Sequence, residues 1–287
     1  MSKNPGQPTI TKSPQEKEIK INNLTITYKD NGVKGDPIVF LHSSSLSSDT
    51  FENQFSAKEF QNHRLLAPDL PGHGKSKAPA DPDLFYTIEG LTQTMVNWLD
   101  ALKIKNAIMV GHALGGHLLL SAWPQIQDRC KALVIFGTPP FSKPSFLEHS
   151  HYDHPAYSLT YQAKLNNEQL NQLASIFVKK GSLKPRVILE SIKKSDPAMR
   201  PILGASVSEP ANLSDEAENL KHLTQPIAIL LGRYDQMVKR TYFDRFEIPT
   251  LWRKKVQLID NAGHCPQIEN PTQFNQFLQQ FLIDQLI

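Results

Sequence analysis

The chain has 287 residues, 39% of them hydrophobic and 21% charged, with a net charge of +3. A balance so close to neutral argues against a nucleic-acid partner, and Cys130 and Cys265 are too few for a disulfide framework. No stretch approaches the length of a membrane helix, and residues 1–20 lack the apolar run of a signal peptide, so the expected location is the cytoplasm.

Residues 1–17 are rich in proline and polar side chains and read as a loose tail. Ile19 and Ile21 alternate, as do Leu24, Ile26 and Tyr28, around Asn22-Asn23; this pattern predicts a β-hairpin. Apolar runs at 37–41, 64–69, 107–110 and 132–136 predict buried strands. Thr87 can cap a helix whose apolar face is Ile88, Leu91, Met95, Leu99 and Leu102. After residue 140 the strand–helix rhythm stops. Residues 141–220 carry mixed helical patterns and the aromatics Phe141, Phe146, Tyr152, Tyr157, Tyr161 and Phe177. The rhythm resumes with strands at 227–231 and 256–259. A last helix follows, capped by Asn270 and started by Pro271, with Phe274, Phe277, Leu278, Phe281 and Leu282 on one face. The expected fold class is α/β: a mainly parallel sheet flanked by helices, with a helical cap (141–220) inserted into a core made of 18–140 and 221–287. The cap would cover the carboxyl edge of the sheet, where such folds bind ligands.

The stretch Gly111-His-Ala-Leu-Gly-Gly116 joins a strand to a helix with glycines on both sides of position 113. That is the pattern of a nucleophile elbow, G-x-S-x-G, with alanine where serine belongs. Cys265 follows a histidine in a turn and reads as a small buried residue. His117 reads as a packed helix residue and His112 as a candidate pocket wall.

The chain resembles the α/β-hydrolases from about residue 20 to its end. The matching pieces occur in family order: Leu41-His42, Asp69-Leu-Pro-Gly-His-Gly-Lys-Ser76, the elbow, Gly232-Arg-Tyr-Asp235 and Asn261-Ala-Gly-His264. Phe136-Gly-Thr-Pro-Pro140, Leu251-Trp252 and the serine-rich loop after His42 bring it nearest to the N-acyl-homoserine lactone hydrolases of this fold. The resemblance implies a nucleophile position at Ala113, an acid at Asp235 and a base at His264, in the chain order of that family. It also implies an oxyanion hole from the N–H groups of Leu114 and Ser44, although Ser43 departs from the usual His-Gly. Expected substrate contacts are Ser43, Ser45, His112 and Tyr161. The ligand expected is a small acyl lactone or ester, with no metal and no cofactor; related esterases and C–C hydrolases share several of the pieces. Ala113 fits an engineered serine-to-alanine change, a non-catalytic relative that binds ligand, or water activated by His264 and Asp235. We take the first, because one substitution leaves the acid, the base and the glycines meaningful.

Overall fold

The computed structural model describes residues 14–142 and 147–286. Eight strands form one sheet: β1 (Gln15–Ile21), β2 (Leu24–Asp30), β3 (Pro37–Leu41), β4 (Arg64–Pro68), β5 (Ala107–His112), β6 (Cys130–Phe136), β7 (Ile227–Gly232) and β8 (Gln257–Ile259). Their spatial order is β1-β2-β4-β3-β5-β6-β7-β8. The strands from β4 to β8 in that order run parallel, and β1 and β2 are antiparallel additions at one edge. The predicted hairpin forms with Ile21 opposite Leu24, and Asn22 takes a positive φ of 52° in the two-residue turn. Gln15, Glu16 and Lys17, expected in the loose tail, belong instead to β1. Its full pairing with β2 and the Lys17–Asp30 ion pair at 2.9 Å hold them there. Residues 1–13 and Phe146 lie outside the described residues.

Helices cover both faces. The longer ones are α1 (Ile88–Ala101), α2 (Leu114–Ser121), α3 (Asn167–Ile176), α4 (Arg186–Lys194), α5 (Met199–Ser208), α6 (Glu216–Lys221) and α7 (Pro271–Leu286). The strands alternate between two cores, as a sheet buried on both sides requires. Ile38, Phe40, Ile108, Val110, Val134 and Phe136 pack against α7 through Phe274, Leu278 and Phe281. Val39, Leu41, Met109, Leu133 and Ile135 pack on the other side with α1, α2 and the helices after residue 147. Thr87 caps α1 by accepting the Gly90 N–H, and Asn270 accepts the Gln273 N–H at the start of α7. No helix among the described residues is long and apolar enough to cross a membrane.

Candidate active site

β5 ends at His112 and α2 begins at Leu114. Ala113 between them has φ 45° and ψ −107°, a backbone shape that side-chain-bearing residues rarely adopt. The crossing is tight: a Cβ on Gly111 would stand 2.6 Å from Gly116 Cα. Ala113 N–H donates to Phe136 O at 2.9 Å, and its carbonyl accepts from His117 N–H at 3.0 Å and Thr138 Oγ1 at 3.2 Å. Pinned on both sides, the residue keeps its strained conformation. Ala113→Gly is therefore expected to stabilise the fold by about 1 kcal/mol, since relief of strain exceeds the added freedom of the unfolded chain. A urea midpoint that stays put or falls would show that the turn carries no strain.

Two loops past the sheet's carboxyl edge bring in an acid and an imidazole. His264 Nδ1–H donates to Asp235 Oδ2 at 2.9 Å, and both side chains are buried. Asp235 Oδ1 accepts from the N–H groups of Met237 (2.8 Å) and Val238 (3.1 Å), so the carboxylate cannot swing away. With the proton on Nδ1, His264 Nε2 is a lone-pair acceptor. It is buried and finds no hydrogen-bond partner. Gly137, with φ 60°, lies against this ring; a Cβ there would reach within 2.7 Å of His264 Cε1. His264 and Ala113 line the same cavity.

His112 does not take the place expected of it. It is fully buried, absent from the cavity wall, stacked on Phe136 at 4.5 Å, and donates from Nε2 to the main-chain carbonyl of His264 at 2.8 Å. Burial first, then the neighbouring His264, hold its pKa well below the ordinary histidine value. The correction follows from strand alternation: residue 112 still belongs to β5 and faces the core shared with Phe136. His117, expected only to pack, lies on the cavity wall instead. Its ring stacks on Phe141 at 4.0 Å, and its Nδ1 meets Glu216 Oε2 at 2.8 Å. Glu216 is wholly buried and also accepts from Ser121 Oγ and Phe141 N–H. Sequence reading missed this pair; the spacing of His117 four residues beyond position 113 was the available signal.

The Ser43-Ser44-Ser45 loop follows β3 and lines the cavity beside Ala113. Among the described residues, neither Ser44 N–H nor Leu114 N–H finds an acceptor. Leu114 opens α2, where such an orphan is expected. Two neutral histidines hold the loop. His42 accepts Leu70 N–H on Nε2 and donates from Nδ1 to Ser43 O at 2.8 Å. His73 accepts Ser45 N–H on Nε2 and donates from Nδ1 to Pro71 O at 2.9 Å. Burial pushes His42 down to about 4 and His73 down to about 3. Burial also lowers His151 to about 3.

A histidine kept neutral in the fold takes up its proton on unfolding, so the unfolded chain binds more protons below pH 6.5. Stability should fall as pH drops from about 6.5 toward 4, by up to ~1.4 kcal/mol per pH unit for each such histidine. Asp69 and Glu269, whose burial raises their pKa, oppose this near the carboxylate range. Urea midpoints at pH 7, 6 and 5 check the slope; a flat profile would contradict it.

The cavity measures about 130 Å³. Its floor comes from the sheet's carboxyl edge and its roof from the inserted helices, through Tyr157, Tyr161, Leu173, Phe177 and Leu203. Tyr161 presses on α5 at Gly204, where a Cβ would fall 2.1 Å from its ring. Tyr152 points outward, 47% exposed. Cys265 is buried, as expected. Among the described residues no group of three or more His, Cys, Asp or Glu could hold a metal ion.

The alpha/beta hydrolase fold family pattern matches residues 36–271. The chain belongs to the alpha/beta hydrolase fold family. A serine-to-glycine mutant of the N-acyl homoserine lactonase AidH, complexed with N-hexanoyl homoserine lactone, superposes with a TM-score of 0.87 at 26% identity, covering 95% of this chain and 98% of that one. The 2-hydroxymuconate semialdehyde hydrolase of Pseudomonas sp. (strain CF600) is 25% identical over 283 residues, 93% of this chain and 94% of its own. An epoxide hydrolase of Caballeronia sordidicola is 35% identical over 130 residues, which span 45% of this chain and only 39% of that protein. Of these three proteins two are named as hydrolases and one as a lactonase, and each is named for a different substrate.

Proposed function

We propose that the chain has the site of a serine lactonase for N-acyl homoserine lactones and, with alanine at 113, retains such lactones instead of opening them. The observation that carries this reading is the buried, unpartnered Nε2 of His264, held by Asp235 and sharing a cavity with the Ala113 methyl. A serine at 113 would supply the proton that this nitrogen lacks. Its Oγ would attack the lactone carbonyl while His264 takes the proton. The oxyanion would rest on the N–H groups of Leu114 and Ser44. His264 would pass the proton to the departing ring oxygen. Water, deprotonated by His264, would then release the acyl homoserine. The acyl tail fits the apolar roof, with Ser43, Ser45 and Tyr161 as contacts, and residues 141–220 serve as the helical cap of the 18–140 and 221–287 core. The buried thiols of Cys130 and Cys265 are unpaired, which agrees with a reducing, cytoplasmic setting. Such an activity would quench quorum signals.

The test is Ala113→Ser assayed on N-acyl homoserine lactones beside simple esters. Lactones opened no faster than simple esters would count against the reading. Three C–C bond hydrolases matching 90% or more of the chain favour a second reading, hydrolysis of a carbon–carbon bond. Turnover of a 2-hydroxy-6-oxodienoate by the serine variant would decide for it.

A further inference from the structure

The end of α3 and the residues after it meet both loops that carry the imidazole and its acid. Phe177 O accepts from Cys265 N–H at 2.9 Å. Gln236 Nε2 donates to Ser175 O at 3.0 Å and Val178 O at 2.7 Å. Glu269 Oε1 accepts from Lys179 N–H at 2.7 Å, and its Oε2 accepts from Gly263 N–H at 2.6 Å. The two segments touch at Gly263, where a Cβ would stand 2.4 Å from Lys179 N. Each core partner neighbours a site residue: Gly263 and Cys265 flank His264, and Gln236 follows Asp235. The Phe177 ring, on the cavity wall, lies 5.9 Å from that of His264.

Among the described residues, Glu269 is the one side chain that hydrogen-bonds both to an inserted segment and to the residue before His264. Both of its partners are N–H donors, so both of its oxygens must accept. A glutamine would turn its NH₂ group toward one of them. We propose that Glu269 is a positioning residue that fixes the His264 loop against the cap and so sets the place of the imidazole beside Phe177 and position 113. The inference rests on the reading of His264 as the base. Among the described residues, the Gln236 side chain hydrogen-bonds to the same segment and not to the His264 loop, which makes it the comparison.

The experiment measures kcat and KM for N-hexanoyl homoserine lactone in Ala113→Ser, alone and combined with Glu269→Gln or Gln236→Ala. Lactone affinity is measured in parallel in the chain as it stands. Glu269→Gln is expected to lower kcat on the order of ten- to a hundredfold, because a displaced base costs rate steeply. KM and lactone affinity should stay within about threefold, as uniform binding is untouched. Gln236→Ala should change KM more than kcat. A kcat within twofold of the parent, or an equal loss of affinity and kcat, would overturn the proposal. If Glu269→Gln does not fold, Glu269→Asp carries the same comparison, since it keeps the charge and shortens the reach. If Ala113→Ser opens no lactone, the base reading fails by itself. The proposal is then judged in the chain as it stands, by nuclear Overhauser contacts between the His264 and Phe177 rings. Their loss in Glu269→Gln supports it and their persistence overturns it.

Discussion

Ala113→Ser is expected to raise kcat on N-acyl homoserine lactones on the order of a millionfold over the chain as it stands. The other parts of the proposed machinery need no rearrangement. His264 already carries its proton on Nδ1, bound to Asp235, and its Nε2 is buried without a partner. The strained turn at 113 already exists with a Cβ present, so a serine adds one oxygen and no new backbone demand. Two main-chain donors, Leu114 N–H and Ser44 N–H, are uncommitted. The gain should vanish in Ala113→Ser combined with His264→Ala, because a hydroxyl without its base is a poor nucleophile. The residual rate of the parent chain should be low and insensitive to His264→Ala. A parent rate that depends on His264 would point instead to water activated by the His264–Asp235 pair. No gain on any lactone or ester would leave a site that only binds.

Gly115→Ala should cost about 4 kcal/mol or more of stability, above the usual cost of overpacking a core by one methyl group. Helix propensity alone predicts the opposite sign, because alanine in a helix is favoured over glycine by about 1 kcal/mol. Packing decides against it. Glycine 115 lies in the first turn of α2, where that helix crosses the end of β3. An added Cβ would meet Leu41 O at 2.3 Å and Leu41 C at 2.6 Å. These are main-chain atoms of a strand paired on both sides, so no side chain can swing aside. The helix would have to retreat, taking Leu114 N–H and residue 113 with it. Chemical denaturation measures the loss directly. A variant as stable as the parent would mean that α2 can slide off the sheet at little cost.

The parts of this molecule that sequence made legible are those that place demands on the local backbone. Asn22-Asn23 announces its turn because asparagine tolerates a positive φ. The glycines around 113 announce the elbow because nothing larger fits the crossing. Buried parallel strands such as residues 132–136 are apolar throughout, so their number and order can be read directly. Asp235 and His264 stand out through the short turns that hold them, even though 29 residues separate them. The side-chain partnerships were less visible. Glu216 looks like an ordinary polar residue at the start of a short helix, yet it reaches back 99 residues to His117. Glu269 gives no hint of the two N–H groups it gathers, one of them 90 residues away. Position on the elbow misleads for His112, because its neighbour Ala113, and not His112, faces the cavity. Its own side chain obeys the alternation of β5 and turns away.

The two ends of the sheet have a consequence for solubility. An unpaired strand edge is a template on which another chain can add a strand. At one end β1 presents Gln15, Glu16, Lys17, Glu18 and Lys20 in a seven-residue run with only two apolar side chains. At the other, β8 is three residues long. A neighbouring chain would find charge at one margin and too little ladder at the other, so the apolar strands between them are screened from fibrous self-association.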